Sequence, residues 1–222
     1  MIEFVYGTFM AHGRMTKVLH GRHARLKLEG LEYEAIYAFG GLSLINGIEE
    51  IAYVNDICDR LGMDTISAGN LCAFTIEAAK RGKINYEIDY GDVDDIAGLL
   101  KKISIREGIG DVLAQGIRFA AQQWGLEEIA IHVKGLEPAG YDRRVLKGMG
   151  LAYATSDRGA CHLRATFYIP ELRDMIDPNM IEGKAELFID FEDRLTIFDL
   201  LILCRFSGTF INGKSSHTSF YL

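Results

Sequence analysis

Two short stretches of the sequence, CDRLGMDT and FDLLILCRF, place an aspartate near the end of an apolar stretch and a second polar group five residues later. The pairs are Asp59 with Asp64 and Asp199 with Cys204. A carboxylate gains little at the C-terminal end of a helix, because that end of the helix dipole is negative. It can instead accept two N–H donors from one planar group, as it does from arginine. If each carboxylate binds such a group, a geometry that occurs twice predicts a repeated ligand.

A planar group of this kind is the aminopyrimidine edge of a pterin. The alternative is that Asp59 pairs with Arg60 or another neighbour, and that Asp199 is a solvated or salt-bridged side chain. Short motifs also occur by chance. The spacing alone leaves both interpretations open.

Helices must position these groups, and the apolar spacing predicts five of them. We expect Asn46 to cap the first helix and Gly62 to end it, and Asp92 and Asp111 to open the third and fourth at the positive end of the helix dipole. The predicted helices are 46–60, 65–80, 92–105, 111–124 and 184–206. The predicted fold class is therefore mostly α.

The rest of the chain gives weaker signals. We expect residues 1–34 to be an irregular lead-in without a core, and 85–90 to be a short strand or an extended connection. Near residue 133 the helical spacing gives way to a short alternating run and a turn around Pro138 and Gly140. This change predicts two helical domains, 1–132 and 133–222. The predicted inner face of the last helix consists of Leu187, Phe191, Leu195, Phe198 and Ile202.

Composition limits the class of protein. The chain has 222 residues, of which 49% are hydrophobic and 25% charged, so it can bury a sizeable core. A net charge of -7 argues against nucleic acid or an anionic membrane as a partner. No apolar run reaches the ~20 residues of a membrane span, and Cys58, Cys72, Cys161 and Cys204 stand singly, as reduced thiols do. We expect a cytoplasmic protein.

Several stretches together resemble one family. CDRLGMDT is similar to the D-x-x-G-L-D/C signature of the tungsten-containing aldehyde ferredoxin oxidoreductases, and FDLLILCRF is similar to its second copy. GLEYEAIYAFG, REGIGDVLAQGIRFAA, VKGLEPAGYDRR and GMGLAYATSDRGACHLRAT agree in the family's order. The resemblance covers nearly the whole chain. It implies two packed helical domains like domains 2 and 3 of these enzymes, which follow an N-terminal β-rich domain.

The resemblance also implies a cofactor, a tungsten or molybdenum bis-pterin. The residues that it places on the pterins are Asp59, Gly62, Met63, Asp64, Arg164, Asp199 and Leu203. In the second copy Ile202 stands where the family has glycine. Because a β-branched residue cannot adopt a positive φ without strain, we expect the second turn to be altered.

Glu34 and His162 match the family's catalytic carboxylate and histidine. Aldehyde oxidation needs a group that takes a proton from attacking water, and such a group contributes a rate factor of ~10²–10⁴. Without the matching flanks, His162 would be interpreted as a loop histidine and Glu34 as a surface charge.

The cluster ligands depart from the family. Members carry C-x-x-C-x-x-x-C-G-R, whereas this chain has V-Y-G-T-F-M-A-H-G-R, with Val5, Thr8 and His12 at the cysteine positions. Cys204 is the single remaining ligand position. Because valine and threonine supply no thiolate, we expect no [4Fe–4S] cluster of the usual kind.

The function implied is oxidation of an aldehyde to a carboxylic acid, with electrons passed to ferredoxin. The resemblance implies an N-terminal β domain as partner, on a separate chain, and homo-oligomerisation is a further possibility. The alternative is a non-catalytic remnant that serves as a binding or interaction module.

Overall fold

The computed structural model describes residues 2–4 and 14–203. It opens with a three-stranded antiparallel sheet in the order β1 (Ile2–Phe4), β2 (Arg14–Lys17) and β3 (Lys27–Glu29). The prediction of an irregular lead-in over residues 1–34 was therefore wrong. The strands were missed because each is only three or four residues long, which is too short for a clear alternation of apolar and polar residues.

The sheet is held on the helices by a small core and by ion pairs. Val18 and Leu28 are buried against Ala52. The Arg22 guanidinium forms ion pairs with Glu50 at 2.8 Å and with Asp94 at 2.7 Å. The region predicted to lack a core thus has one, and the ion pairs of Arg22 attach it to the helices.

Helix α1 (Tyr33–Ala35) continues directly into a π-helical segment (Ile36–Leu42). Neither was predicted. This wide turn lies against α3 (Thr65–Lys80), where Gly69 contacts Ala38 so closely that an added Cβ would clash with it. Gly69 therefore fixes the position of the segment that carries Glu34.

Helices α2 (Ile48–Leu61), α3 and α4 (Val93–Ile105) confirm the prediction. Asp92 caps α4 by accepting from the Asp94 and Asp95 N–H groups at 3.1 Å. The capping residue of α2 is Gly47 and makes no side-chain bond, so the assignment of Asn46 was wrong.

The helix predicted for 111–124 is two helices, α5 (Ile109–Leu113) and α6 (Ile117–Trp124). Gly116 separates them at φ 91, a conformation that interrupts a helix and that glycine adopts without steric cost. Asp111 lies inside α5 and opens no helix. Residues 85–89 form neither a helix nor a strand.

The second part of the chain holds α7 (Lys147–Thr155), α8 (Tyr168–Leu172) and α9 (Lys184–Leu200). Helix α9 ends earlier than predicted. Within its predicted inner face Leu195 and Phe198 are buried, Leu187 and Phe191 are partly buried, and Ile202 is 93% exposed. Including Ile202 was wrong, because the chain has left the helix before it.

Besides the small cluster under the sheet, two larger clusters of buried side chains form the core. The larger runs from Phe39 to Leu126, and the second from Met149 to Phe188. The mostly α class is confirmed. Among the described residues, no helix combines the length and apolar character needed to cross a membrane.

Candidate functional site

The first Asp-containing turn ends α2. Gly62 adopts the left-handed conformation at φ 68. Its N–H donates to the Asp59 carbonyl oxygen at 3.3 Å, and the Met63 N–H donates to the Cys58 carbonyl oxygen at 2.9 Å. This is the glycine-terminated helix end that the sequence predicted.

The second turn ends α9 in the same way. Ile202 has φ 55, and its N–H donates to the Asp199 carbonyl oxygen at 3.2 Å. The Leu203 N–H donates to the Phe198 carbonyl oxygen at 2.9 Å. The expectation of an altered second turn was wrong, because Ile202 takes the left-handed conformation in spite of its β-branch.

The Asp59 side chain is exposed and accepts a hydrogen bond from the Asn55 amide at 2.9 Å. Partial burial, followed by the charge of Asp56, raises the pKa of the Asp59 carboxyl. Arg60 does not pair with Asp59; its guanidinium binds Asp56 at 2.6 Å. The Asp59 carboxylate therefore has acceptor capacity left for a ligand.

Met63 and Asp64 line an open cavity of about 400 Å³. Asp64 also caps α3, where its carboxylate accepts from the Ser67 N–H at 2.8 Å. Apolar side chains, including Leu71, Ile103 and Leu113, make up most of the rest of the wall. The cavity is large enough for a ring system. Because Met63 and Asp64 follow Gly62 directly, the cavity lies beside the end of the first turn.

A buried carboxylate, that of Glu137, forms part of this cavity and was not identified from the sequence. Its residue is 4% exposed, and the Ser67 hydroxyl donates to it at 2.8 Å. Burial raises the pKa of the Glu137 carboxyl, and the hydrogen bonds that it accepts oppose that shift. Glu137 therefore fastens the segment after residue 133 to α3.

Glu34 and His162 lie together, although 128 positions separate them in the sequence. Glu34 Oε1 is 3.4 Å from His162 Nε2, and the two side chains are 20% and 14% exposed. The Tyr141 hydroxyl donates to Glu34 Oε1 at 3.1 Å. A carboxylate, an imidazole and a phenol thus meet at one sheltered point.

Aromatic rings enclose this group. The ring of Tyr141 stacks on those of His162 and Tyr168, with centroids 5.8 Å and 4.1 Å apart. Burial raises the pKa of the Tyr141 phenol far above its usual range, and Tyr168 and Glu34 add to the effect. Tyr141 therefore stays protonated at neutral pH and remains a hydrogen-bond donor to Glu34.

Tyr141 was not identified as a site residue from the sequence, although it lies in the stretch VKGLEPAGYDRR. The backbone that places it is tightly fixed. Tyr33 donates to the Gly140 carbonyl oxygen at 2.7 Å, and the Tyr37 ring leaves no room for a side chain at Gly140. In the sequence, the only indication of this close packing was that Gly140 precedes Tyr141.

Two other predicted positions have partners of their own: Arg164 pairs with Asp157 at 3.1 Å, and Asp59 accepts from Asn55. Leu203 is 40% exposed. Over 2–4 and 14–203, no three His, Cys, Asp or Glu side chains form a potential metal site. Val5, Thr8, His12 and Cys204 lie outside the described residues.

Comparison with known proteins supplies a family context. Residues 6–221 match the family described as aldehyde ferredoxin oxidoreductase, domains 2 and 3. A tungsten-containing aldehyde ferredoxin oxidoreductase of Pyrococcus furiosus is 36% identical over 190 residues, which are 81% of this chain and 31% of that protein. Its counterpart from Thermococcus kodakarensis is 34% identical, with the same coverage.

A third relative has a different name. The aliphatic sulfonate oxidoreductase, WOR-like subunit, of Pyrococcus furiosus is 32% identical over 145 residues, which are 59% of this chain and 23% of that protein. The chain spans about a third of the length of its aldehyde ferredoxin oxidoreductase relatives.

Proposed function

This chain belongs to the aldehyde ferredoxin oxidoreductase family, as its match over residues 6–221 shows, and we propose that it supplies the helical part of an enzyme that oxidises an aldehyde to a carboxylic acid. The overall change is RCHO + H₂O to RCOOH with release of two protons and two electrons. The whole activity belongs to an assembly that includes an N-terminal β domain, because the chain spans about a third of its relatives.

The observation that carries the proposal is the repeated turn. Gly62 and Ile202 have the same left-handed conformation, three residues after Asp59 and Asp199. For a residue with a side chain this conformation costs roughly 1–2 kcal/mol. A strained backbone is typical of functional sites. Arg106 ends α4 with the same backbone bonds, so the distinguishing feature of the other two turns is the aspartate three residues earlier. Two such aspartates fit a cofactor with two similar halves.

A tungsten or molybdenum bis-pterin would supply the acceptor for two electrons. Asp59 and Asp199 would each accept the paired N–H groups of one pterin, and Met63, Asp64, Leu203 and Arg164 would contact the same cofactor. The Asp59 carboxylate keeps acceptor capacity beyond its bond to Asn55, which supports this role.

Glu34 and His162 would handle the proton. As water adds to the aldehyde carbon, Glu34 takes a proton from it, and His162 Nε2 at 3.4 Å receives or shares that proton. Tyr141 stays protonated and donates to Glu34, which fixes the orientation of the carboxylate. The surrounding rings of Tyr33 and Tyr168 limit access of bulk water.

The electron route would differ from the family's, since Val5, Thr8 and His12 stand at cysteine positions. Electrons would leave through a partner that carries its own redox centre, and ferredoxin would be the final acceptor. The same replacements favour a second candidate, in which the scaffold is a non-catalytic binding module. Tungsten or molybdenum in the purified assembly would decide between them.

The test is expression of the chain with the N-terminal domain of the Pyrococcus furiosus relative, followed by metal analysis and an aldehyde-dependent dye-reduction assay. We expect Glu34→Gln and His162→Asn to lower kcat by a factor on the order of 10²–10⁴ without loss of metal. The matched control is Glu32→Gln, which removes an exposed carboxylate on the same segment. Full activity in both site variants would refute the assigned roles.

A further inference from the structure

A second cavity, of about 380 Å³, shares no lining residue with the cavity beside the first turn. Its charged and ionisable lining residues are Glu128, His132, Arg143 and Tyr153. No residue predicted to contact pterin or to catalyse lines it. The volume is within the ~300–1,000 Å³ range of small-molecule sites.

The two charged side chains of this wall are exposed, and they have no protein partner in the part of the chain that the structure describes. Over residues 2–4 and 14–203, neither Glu128 nor Arg143 makes a hydrogen bond or an ion pair, so their charged atoms are also more than 4.0 Å from each other. The acidic neighbour of Arg143 does not neutralise it by contact, because Asp142 is bound to Arg144 at 2.6 Å. Opposite charges thus face one cavity with a gap between them.

The remaining wall is largely apolar, with Ile131, Val133, Pro138 and Ala154. His132 adds a donor. Its Nδ1 accepts from the Gly135 N–H at 3.3 Å, so the neutral ring carries its proton on Nε2. The cavity therefore combines a cation, an anion, a neutral donor and apolar surface.

We propose that this cavity binds a small α-amino acid with an apolar side chain. The carboxylate would bind Arg143, assisted by His132, and the ammonium group would bind Glu128. The apolar side chain would pack on Val133, Pro138 and Ala154. A ligand with only one charge would leave the opposite wall charge without a partner, so the arrangement favours a zwitterion over a simple acid or amine.

The cavity also shares backbone with the proposed active site. Pro138 and Arg143 line the cavity, and Tyr141 between them donates to Glu34. A bound amino acid would hold the 138–143 segment. This gives a readout that needs no activity: hydrogen exchange at the amides of 138–143 should slow in the presence of ligand.

The experiment is titration calorimetry of the full chain with L-leucine. Two analogues each remove one charge: 4-methylpentanoate lacks the ammonium group, and 3-methylbutylamine lacks the carboxylate. We expect both to bind at least about tenfold more weakly than leucine, since each loses a charge-assisted hydrogen bond.

Variants test the same contacts from the protein side. Arg143→Gln and Glu128→Gln should each weaken leucine binding on the order of tenfold to a hundredfold. Their matched controls, Arg118→Gln and Glu127→Gln, remove exposed charges that do not line the cavity and should leave binding unchanged. Ala154→Trp should fill the cavity, which Ala154 lines, and abolish binding.

Three results would overturn the proposal. One is absence of leucine binding at millimolar concentration. Another is binding that both charge variants leave intact, or that 4-methylpentanoate matches while Glu128→Gln has no effect, which would indicate a plain carboxylate site. The third is leucine-dependent protection confined to amides outside 138–143. Because Arg143 and Glu128 are exposed, their variants decide the matter even if Ala154→Trp fails to fold.

Discussion

Gly62 and Ile202 adopt the same left-handed backbone conformation, at φ 68 and φ 55, each three residues after an aspartate. Glycine reaches this region freely, whereas isoleucine does so at a cost. The two helix ends nevertheless make the same pair of backbone hydrogen bonds. The turn is therefore set by the path of the chain and not by the residue at its third position.

We predict that Ile202→Gly stabilises the protein. Relief of the left-handed strain is worth roughly 1–2 kcal/mol, and the extra entropy of glycine in the unfolded chain offsets roughly 0.5–1 kcal/mol. Little packing is lost, because Ile202 is 93% exposed. Urea unfolding should show a net gain of up to about 1.5 kcal/mol. The matched change, Gly62→Ala, should lower stability by about 1 kcal/mol; a loss in both variants would contradict the strain argument.

Leu195→Ala should cost about 2–5 kcal/mol of unfolding free energy, because it truncates a buried side chain on α9. Ile197 on the same helix is 54% exposed, so Ile197→Ala should cost less than about 0.5 kcal/mol. Equal losses in denaturant unfolding would mean that the outer face of α9 is covered in solution.

Glu137 should make stability depend on pH. Its pKa is raised by burial, so the folded state holds this proton more tightly than the unfolded state does. The resulting stabilisation is complete below the unfolded pKa and is lost as pH rises through the folded pKa. Relative to the wild type, Glu137→Gln should therefore gain stability as pH rises through this window, as followed by urea unfolding at a series of pH values. A difference that is independent of pH would show that the carboxyl titrates normally.

The purified chain should contain no stoichiometric iron or sulfide, because Val5, Thr8 and His12 replace three thiolate positions. The measurement is iron and sulfide analysis after anaerobic purification. A positive control restores the pattern with Val5→Cys, Thr8→Cys and His12→Cys together, which should permit cluster reconstitution. About four irons per chain in the unaltered protein would mean that the ligands lie elsewhere.

If one cofactor joins the two turns, Asp59→Asn and Asp199→Asn should act as a unit. In the assembly with the β domain, each change should lower the tungsten or molybdenum content, and the double variant should lose less than the sum of the two. Asp56→Asn is the control, since Asp56 pairs with Arg60 on the same helix. Strictly additive losses would argue against a shared cofactor.

Local sequence signals predicted the elements whose causes are local. Helices α2 to α4 have regular apolar spacing, and Asp92 caps α4 with its own side chain. The interruption at Gly116 was missed, because the apolar positions continue on both sides of it. The π-helical segment was missed as well, since it depends on close packing against Gly69, which is distant in the sequence.

The candidate site shows the same limit. Resemblance pointed separately to Glu34 and His162, but their contact and the bond from Tyr141 depend on chain segments more than 100 residues apart. Glu137 could not be distinguished in sequence from a surface glutamate, because its burial depends on α3 and on the N-terminus of α6. Contacts of this range follow from the tertiary fold and not from spacing.

The hydrogen bonds made by residues 137 to 141 limit where chimeras between related proteins can be joined. Ser67 donates to Glu137, Tyr33 donates to Gly140, and Tyr141 donates to Glu34. This short segment follows the boundary suggested near residue 133, yet its partners all precede that boundary. The two helical parts are therefore not interchangeable modules. A chimera between relatives joined at residue 133 would have to inherit both sides of these three bonds, whereas a junction after residue 141 would keep them within one parent.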